Sequence, residues 1–508
     1  NENDAITFFD YPVSGPLQKG QNILAIQGMN GSQSSSDFLA SPELTARKTD
    51  LNSPQNGYFL DPTPGTINGK RIDGLVSDTK FNVNRGFYED PFELEISTET
   101  EGAEIRYTLD GTAPSKTEGT IYDSPILINE TTVIRAIAYK SGYSSTNIDT
   151  NTYVFPADVV EQRTMSTSIT ENAKYKPLMV DSLKAIPSIS LSIESPNTLN
   201  TENERPLSIE MIFPDGTEGF QENAGVTLFG GYYTNFSKKN FRIYFRSEYG
   251  VTKLRYPIYE GSENQMPPAQ EFDSINLRSG SHDMIDRGAY MSNRFTDDTM
   301  LEMGHIAPHG RFVHVYINGT YWGMYHLRER WNAAMASEYL GGSKEDYEAI
   351  NAGNTGNEFL QGVVFDGSGK YWTETRNLIN GNSPFEAAAN HIDIPNVIDF
   401  MLLWTSGNSE SEFRSVGSVP LGVPFKFFMK DADGFLRSSG HPVTHNGPLN
   451  SLTRFRREGD PDYKILLADQ IHKHFFNDGA MTPNRLTSRL QRRVDEVKMP
   501  FLAEAARW

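Results

Sequence analysis

The sequence predicts a multidomain chain in which a small all-β sandwich precedes a large α+β domain. Three observations lead there. With 508 residues the chain is too long for one hydrophobic core and must divide into several. Between about 82 and 156, short alternating strands are punctuated by turn residues at the spacing of a small sandwich. From 185 to the end, strand-period and helix-period segments are mixed.

Composition narrows the class. Hydrophobic content of 37% with 11% aromatic residues suits packed domains rather than disorder. The 65 acidic residues against 46 Lys and Arg give a net charge of −19, which argues against a sequence-independent nucleic-acid binder. There is no cysteine, which excludes disulfides, thiolate metal sites and cysteine nucleophiles. No apolar run reaches the ~18 residues of a membrane span. The first residue is Asn and no signal-peptide pattern precedes the fold, so the expectation is an internal piece of a longer polypeptide.

Taken in order, residues 1–50 contain a strand at Ile23 to Gln27, a Gly/Ser/Asn loop and a second short strand near Phe38. So few strands cannot close a core, and a truncated domain docked on its C-terminal neighbour is expected. The segment resembles the last strands of galactose-binding-like jelly rolls. Residues 51–81, rich in Pro, Gly, Asn and Asp, read as linker. In 82–156, "AEIRYTLDGTAPS" gives a strand, an Asp110-Gly111 turn and an edge at Pro114. "SPILINE" comes next, and then "TTVIRAIAYKSGY", which alternates Val133, Arg135, Ile137 and Tyr139. Residues 157–184 read as a second linker.

The domain at 185–508 opens with "IPSISLSIE", "PLSIEMIF", "GVTLFGGY" and "NFRIYFR", all strand-like. "FVHVYINGTYWGMYHLRER" is a hairpin joined at Asn318-Gly319, the pair a type I′ turn prefers. Helices are expected in "AYMSNRFTDDTMLEMG" and in "HIDIPNVIDFMLLWTSG". The second has Asp393 as N-cap, Pro395 in the first turn and Gly407 just past the end. "YKILLADQIHKHFF" and "TSRLQRRVDEVKMPFLAEAARW" are also helical in pattern.

The chemistry is sought where an apolar strand meets acids. In "PFKFFMKDADGFLR", alternation puts Phe425, Phe427 and Met429 on one side and Lys426, Phe428 and Lys430 on the other. Asp431 and Asp433 come immediately after. Asp-x-Asp-Gly is an ordinary turn signal, a hard-cation ligand pair or half a calcium loop, and spacing alone leaves all three open. A helix, the loop "NSESEF", a strand and then Asp431 is the order in which a kinase-type site presents a base and a magnesium ligand to one phosphate. In "SKKNFRIYFR", parity sets Lys239 with Phe241 and Ile243, and Lys238 with Arg242 and Tyr244, so one lysine points into the protein and calls for an anion or carboxylate. Glu329 closes the hairpin on the buried parity of Tyr325 and Leu327, as a partner for that lysine or an ordinary strand-end ion pair. Arg278 and Asp283 in "RSGSHD" are second-tier site candidates, read first as a structural arginine–carboxylate pair. His305 and His309 flank Pro308 and read as non-ligands.

These pieces carry two resemblances. "IRYTLDGTAPS" with "TTVIRAIAYKSGY" resembles the accessory immunoglobulin-like domain of chitobiases and β-hexosaminidases, which implies an Ig-like sandwich used mostly as a spacer. "GVTLFGGYYTNFSKKNFRIYFR", "FDSINLRSGSHDMIDRGAY", "RFVHVYINGTYWGMYHLRERW", "IDFMLLWTSGNSESEFR" and "FKFFMKDADGFLR" together resemble the CotH family of secreted atypical protein kinases. That resemblance implies an atypical kinase-like fold over 185–508, ATP and magnesium as cofactors, a Ser/Thr hydroxyl on an associated protein as acceptor, and a location outside the cell or at the surface of a bacterium. By the same resemblance Lys238 and Lys239, with Arg242 beside them and Glu329 as partner, engage the nucleotide. Asn408 and Glu410 stand at the base position, and Asp431, with Asp433, at the metal position. Glu410 replaces the family's aspartate, and no asparagine lies between Ser409 and Asp431. A non-catalytic surface scaffold near polysaccharide is therefore the alternative, and a glycoside hydrolase using two of Glu410, Glu412, Asp431 and Asp433 is a third.

Overall fold

The computed structural model describes residues 58–59, 71–230, 235–261, 266–280, 283, 289–351, 362–381, 384–407, 412–430, 432–435 and 459–508. The jelly-roll-like stretch 1–50 and the candidates Asn408, Glu410 and Asp431 lie outside these residues. The described chain is multidomain, β-rich towards its N-terminal side and mixed α/β beyond.

The first unit is a small sandwich. Strands β1 (Gly86–Phe87), β2 (Glu104–Thr108), β3 (Thr120–Ile121), β4 (Thr132–Tyr139) and β5 (Asp149–Val154) form one sheet in the order β1-β5-β4-β2-β3. Phe92–Leu94 pairs antiparallel with Ile126–Ile128 as a second layer. Leu94, Ile105, Ile128, Ile134, Ala136 and Tyr153 fill the space between. Alternation on β4 is a sound strand signal but a weak guide to faces, because Val133, Ile134, Arg135 and Ala136 are all buried. One side of β4 faces the sandwich core, and the other is covered by the next domain. There Arg135 donates to the Gly111 carbonyl at 3.1 Å.

The stretch expected to be a linker, 157–184, instead folds into short helices at Pro156–Glu161, Thr167–Thr170 and Met179–Leu183. Val159, Met165, Met179 and Leu183 are buried with Tyr316, Tyr321, Ala503 and Ala506. Composition hid this, because the apolar residues are sparse and find their partners more than a hundred positions away.

The second unit is built on a closed barrel. Its strands are β6 (Ser188–Ser192), β7 (Arg205–Ile212), β8 (Gln221–Phe229), β9 (Asn240–Tyr244), β10 (Ser274–Arg278), β11 (Gly310–Ile317) and β12 (Thr320–Glu329). They run in the order β6-β7-β8-β9-β10-β12-β11, and β11 closes the ring by pairing parallel with β6. Period-2 alternation sends Ile189, Ile209, Val226, Ile243, Ile275, Val315 and Leu327 inward. The β11–β12 turn is the expected one: Asn318 and Gly319 have φ of 48° and 78°, the left-handed values a type I′ turn needs at both central positions.

Helix α1 (Ser292–Glu302) lies against the barrel and is buried at every position from Ser292 to Leu301. Its polar groups are neutralised in place: Asp298 bonds Arg294 and Arg493, and Asp297 bonds Arg328. Helix α2 (Ala333–Leu340) comes after β12. A four-stranded antiparallel sheet then joins β13 (Glu348–Asn351), β14 (Val363–Asp366), β15 (Glu412–Ser418) and β16 (Val423–Lys430) in the order β14-β13-β15-β16. Helices α3 (Lys370–Asn380), α4 (Ile394–Ser406), α5 (Pro461–Phe475), α6 (Pro483–Val497) and α7 (Phe501–Arg507) complete the fold. Asp393 caps α4 as expected, accepting from Asn396 N at 3.0 Å.

Strand β16 is buried on both faces. Phe425, Phe427 and Met429 enter the helical core with Val397, Phe400 and Leu403 of α4. On the other face Phe428 stacks on Trp331, with ring centroids 4.0 Å apart and planes within 8°. The strand is thus wedged between two cores, which fixes the start of the segment 432–435 against α1.

Candidate functional site

Four separated segments meet beside the first turn of α1. Arg278, the last residue of β10, forms a forked bond to Asp283 through Nη1 (3.0 and 2.9 Å) and reaches Asp433 Oδ1 through Nη2 at 2.6 Å. Asn293 of α1 donates to the same Asp433 oxygen and, at 3.4 Å, to Asp283. Its amide oxygen accepts from Ala432 N at 3.1 Å, pinning the short helical turn Ala432–Gly434 to α1. All four side chains are buried. Burial pushes the Asp283 carboxyl up to about 7, with Arg278 pulling it down and Asp433 pushing it further up. Asp433 is therefore no exposed turn residue. Its Oδ1 is committed to Arg278 and Asn293, and the described residues leave Oδ2 without a hydrogen bond.

Next to this group sits Lys238, 8% exposed, with Nζ 2.5 Å from Glu504 Oε1 and 2.8 Å from the Met324 carbonyl. The rings of Tyr290 and Tyr325 flank the ammonium at 5.7 and 4.9 Å. Glu504 Oε2 accepts from Met324 N at 2.5 Å, so lysine and glutamate clasp the backbone N–H and carbonyl of one residue of β12. Burial lowers the Lys238 pKa and raises that of Glu504, in each case against the pull of the partner. Asp283 also acts on Lys238, which couples the two groups. Among the described residues the cluster holds two cations, Lys238 and Arg278, against three carboxylates, Asp283, Asp433 and Glu504.

The glutamate that pairs with Lys238 is thus Glu504 and not Glu329. Register explains why. Phe241, Leu277 and Leu327 are level across β9, β10 and β12, so Lys238 lies level with Met324. Glu329 is five residues further along β12, about 17 Å at the rise of a strand. Its carboxylate accepts from His309 N at 2.7 Å and from the Tyr339 hydroxyl at 2.9 Å, tying the end of the hairpin to α2. Parity also chose the wrong lysine. Strand β9 begins only at Asn240, so alternation does not extend back to 238, and it is Lys238 that is buried while Lys239 is half-buried. The Lys239 carbonyl accepts from Tyr325 Oη at 2.8 Å. Arg242 donates to Asn276 at 3.2 Å across the outer face of the barrel and lies over the Phe229 ring.

Sequence pattern alone did not single out Glu504, although a signal existed: it is the one acid in "FLAEAAR" and shares the buried face of that helix with Ala503 and Ala506. The Arg278–Asp283 pair was legible, but its bond to Asp433 was not. His305 and His474 converge on Asp399 Oδ2 at 2.6 and 2.9 Å. Burial alone would raise the Asp399 carboxyl, and the two imidazoles overrule it and hold it low. Among the described residues no group of three His, Asp or Glu side chains forms a metal site. No described helix is long and apolar enough to cross a membrane.

No curated protein matches the chain. Residues 83–150 match the family described as chitobiase/beta-hexosaminidase C-terminal domain, which covers the sandwich up to the start of β5. Residues 226–405 match the family described as CotH kinase protein, a span that includes Lys238, Arg278, Asp283 and Asn293 and stops short of Asp433 and Glu504. The chain is similar to the CotH family over the centre of its barrel domain, behind a module similar to the chitobiase/beta-hexosaminidase C-terminal domain.

Proposed function

We propose that the barrel domain is a phosphotransferase that moves the γ-phosphoryl group of Mg-ATP to a serine or threonine hydroxyl of an associated protein, outside the cell or at its surface. The observation that carries this reading is the buried Lys238–Glu504 pair beside Arg278, Asp283, Asn293 and Asp433. Phosphoryl transfer needs positioning and charge more than covalent chemistry, and a lysine oriented by a glutamate is one of its recurring parts. The excess of carboxylate over cation among the described residues suits a bound divalent ion and would repel a bare triphosphate. Asp433 through its available Oδ2, with Asp283, would hold the ion, and Asp431 stands at the same place by sequence. Magnesium would supply charge neutralisation for the transferring group.

Lys238 then orients phosphate, and Glu410 takes the proton of the acceptor hydroxyl. That hydroxyl oxygen forms its bond to the γ-phosphorus as the bond to the bridging oxygen breaks. Labelled phosphate transfer by the wild type, reduced at least about a hundredfold in Asp433→Asn and in Lys238→Met, is the expected result. Equal background in all three proteins would sink the proposal.

One observation favours a second reading. Arg278 spans both carboxylates, which is how a purely structural network neutralises itself. In that case the domain is a binding scaffold, with carbohydrate as a candidate partner given the chitobiase-type module. Calorimetry separates the two: the scaffold takes up neither ATP nor magnesium.

A further inference from the structure

At the other end of the same strands lies a cavity of about 830 Å³ that takes no part in the cluster above. The ends of β9 and β12, the start of β10 and the first turn of α2 line it, with Tyr244, Arg246, Glu248, Arg330, Lys344 and Glu345 among the residues facing it. Its volume is that of an organic ligand rather than a bare ion, and its wall is largely polar.

The charges in this wall are unevenly matched. Arg246 pairs with Glu204 at 3.1 Å, Lys344 lies 3.8 Å from Asp273, and Asp366 accepts from Ala333 N at 3.0 Å. Among the described residues Arg330 forms no ion pair with any carboxylate. It stands 5.7 Å from the centre of the Tyr244 ring, with Arg246 at 4.9 Å from the same ring and Arg242 next along β9. Burial lowers the Arg330 pKa, and Arg242 and Arg246 push it the same way against Tyr244 and Asp366. The Tyr244 ring accommodates these guanidinium groups over its face, and Arg330, acted on by Asp366 without forming an ion pair with it, has room for the acid group of a ligand. On the rim, Glu248 and Glu345 are exposed carboxylates, which accept hydrogen bonds and would repel a ligand that is acidic throughout.

We infer that this cavity binds an acidic sugar, a hydroxyl-rich ring carrying one carboxylate or phosphate. The acid group lies on Arg330 in a charge-assisted contact, and the ring hydroxyls donate to the rim glutamates. The inference stands apart from phosphoryl transfer and survives if that reading fails.

Calorimetry with glucuronic acid, glucose 6-phosphate, glucose and inorganic phosphate tests it on the full chain. At least one of the two acidic sugars binds, and which one tells whether carboxylate or phosphate is the acid taken. Glucose and inorganic phosphate bind at least about tenfold more weakly than that sugar. Arg330→Gln weakens the acidic sugar at least about tenfold. Glu345→Gln, an exposed change that does not threaten folding, weakens it by about threefold and leaves inorganic phosphate unchanged. The inference is overturned if neither acidic sugar binds, if glucose or inorganic phosphate binds as tightly, or if a folded Arg330→Gln protein binds like wild type. Should Arg330→Gln not fold, an unchanged affinity in Glu345→Gln overturns it as well.

Discussion

Replacing Lys238 by methionine tests the centre of the site. The substitution keeps a long apolar side chain between the rings of Tyr290 and Tyr325 and removes the charge. Glu504, with no exposed surface, then keeps only its bond from Met324 N. Breaking one side of a buried ion pair costs about 3–5 kcal/mol, because the remaining charge stays desolvated. Burial already drives the Glu504 carboxyl upward, so in the variant it takes up a proton, and the loss falls at the lower end of that range. Lys238→Met/Glu504→Gln removes both charges and keeps an acceptor for Met324 N, so it recovers about 2 kcal/mol of the single-variant loss. Urea unfolding monitored by tryptophan fluorescence reads the cycle, since Trp508 and Trp322 lie edge to face where α7 meets β12. A single-variant loss below about 1 kcal/mol, or a double variant equal to the sum of the singles, would refute the clasp.

Other expectations rest on the same geometry. Arg278→Met leaves Asp283 and Asp433 facing each other unneutralised and lowers stability by about 3–5 kcal/mol in thermal unfolding; Arg278→Lys recovers only part, because an ammonium lacks the fork that reaches both acids. His314 is buried with Nδ1 accepting from Tyr321 Oη and Nε2–H donating to the Ser182 carbonyl, and burial holds its pKa down at about 4 against an ordinary 6.5. The unfolded chain therefore takes the proton first, so about 3 kcal/mol of stability is lost as pH falls from 6.5 towards 4. Urea midpoints measured across that interval should decline less steeply in His314→Gln. Glu210 accepts from Thr152 N at 3.0 Å where the sandwich meets the barrel, and Glu210→Leu leaves that N–H unpaired. A loss of about 1–3 kcal/mol, seen as faster proteolysis near the junction, is expected. Gly323 has φ of 117°, and a Cβ there would lie 2.6 Å from Glu504 Oε2, so Gly323→Ala should dislodge α7 and cost at least about 2 kcal/mol in the same urea assay.

What could be read in advance was local. The Asn318-Gly319 turn, the Asp393 cap and the apolar run 423–430 each carry their signal within a few residues, and each forms as expected. The missed partners share one cause. Glu504 lies 266 positions from Lys238, and Asp433 lies 155 from Arg278, so only barrel register and the seating of α7 join them. Parity misjudged the lysines because it was carried past the end of a strand. It left Phe428 on a polar face because β16 has a core on each side. For Asn408, Glu410 and Asp431 the sequence remains the guide, as they fall outside the described residues.

Barrel closure has a practical consequence. The ring is completed by β6 and β7, which precede residue 226, and the counter-charge of Lys238 arrives from beyond residue 405. A fragment excised at the borders of the family match would be a cask missing two staves and its latch. Its open edges would offer unpaired peptide groups to neighbouring molecules, and aggregation is the outcome to expect from such a piece.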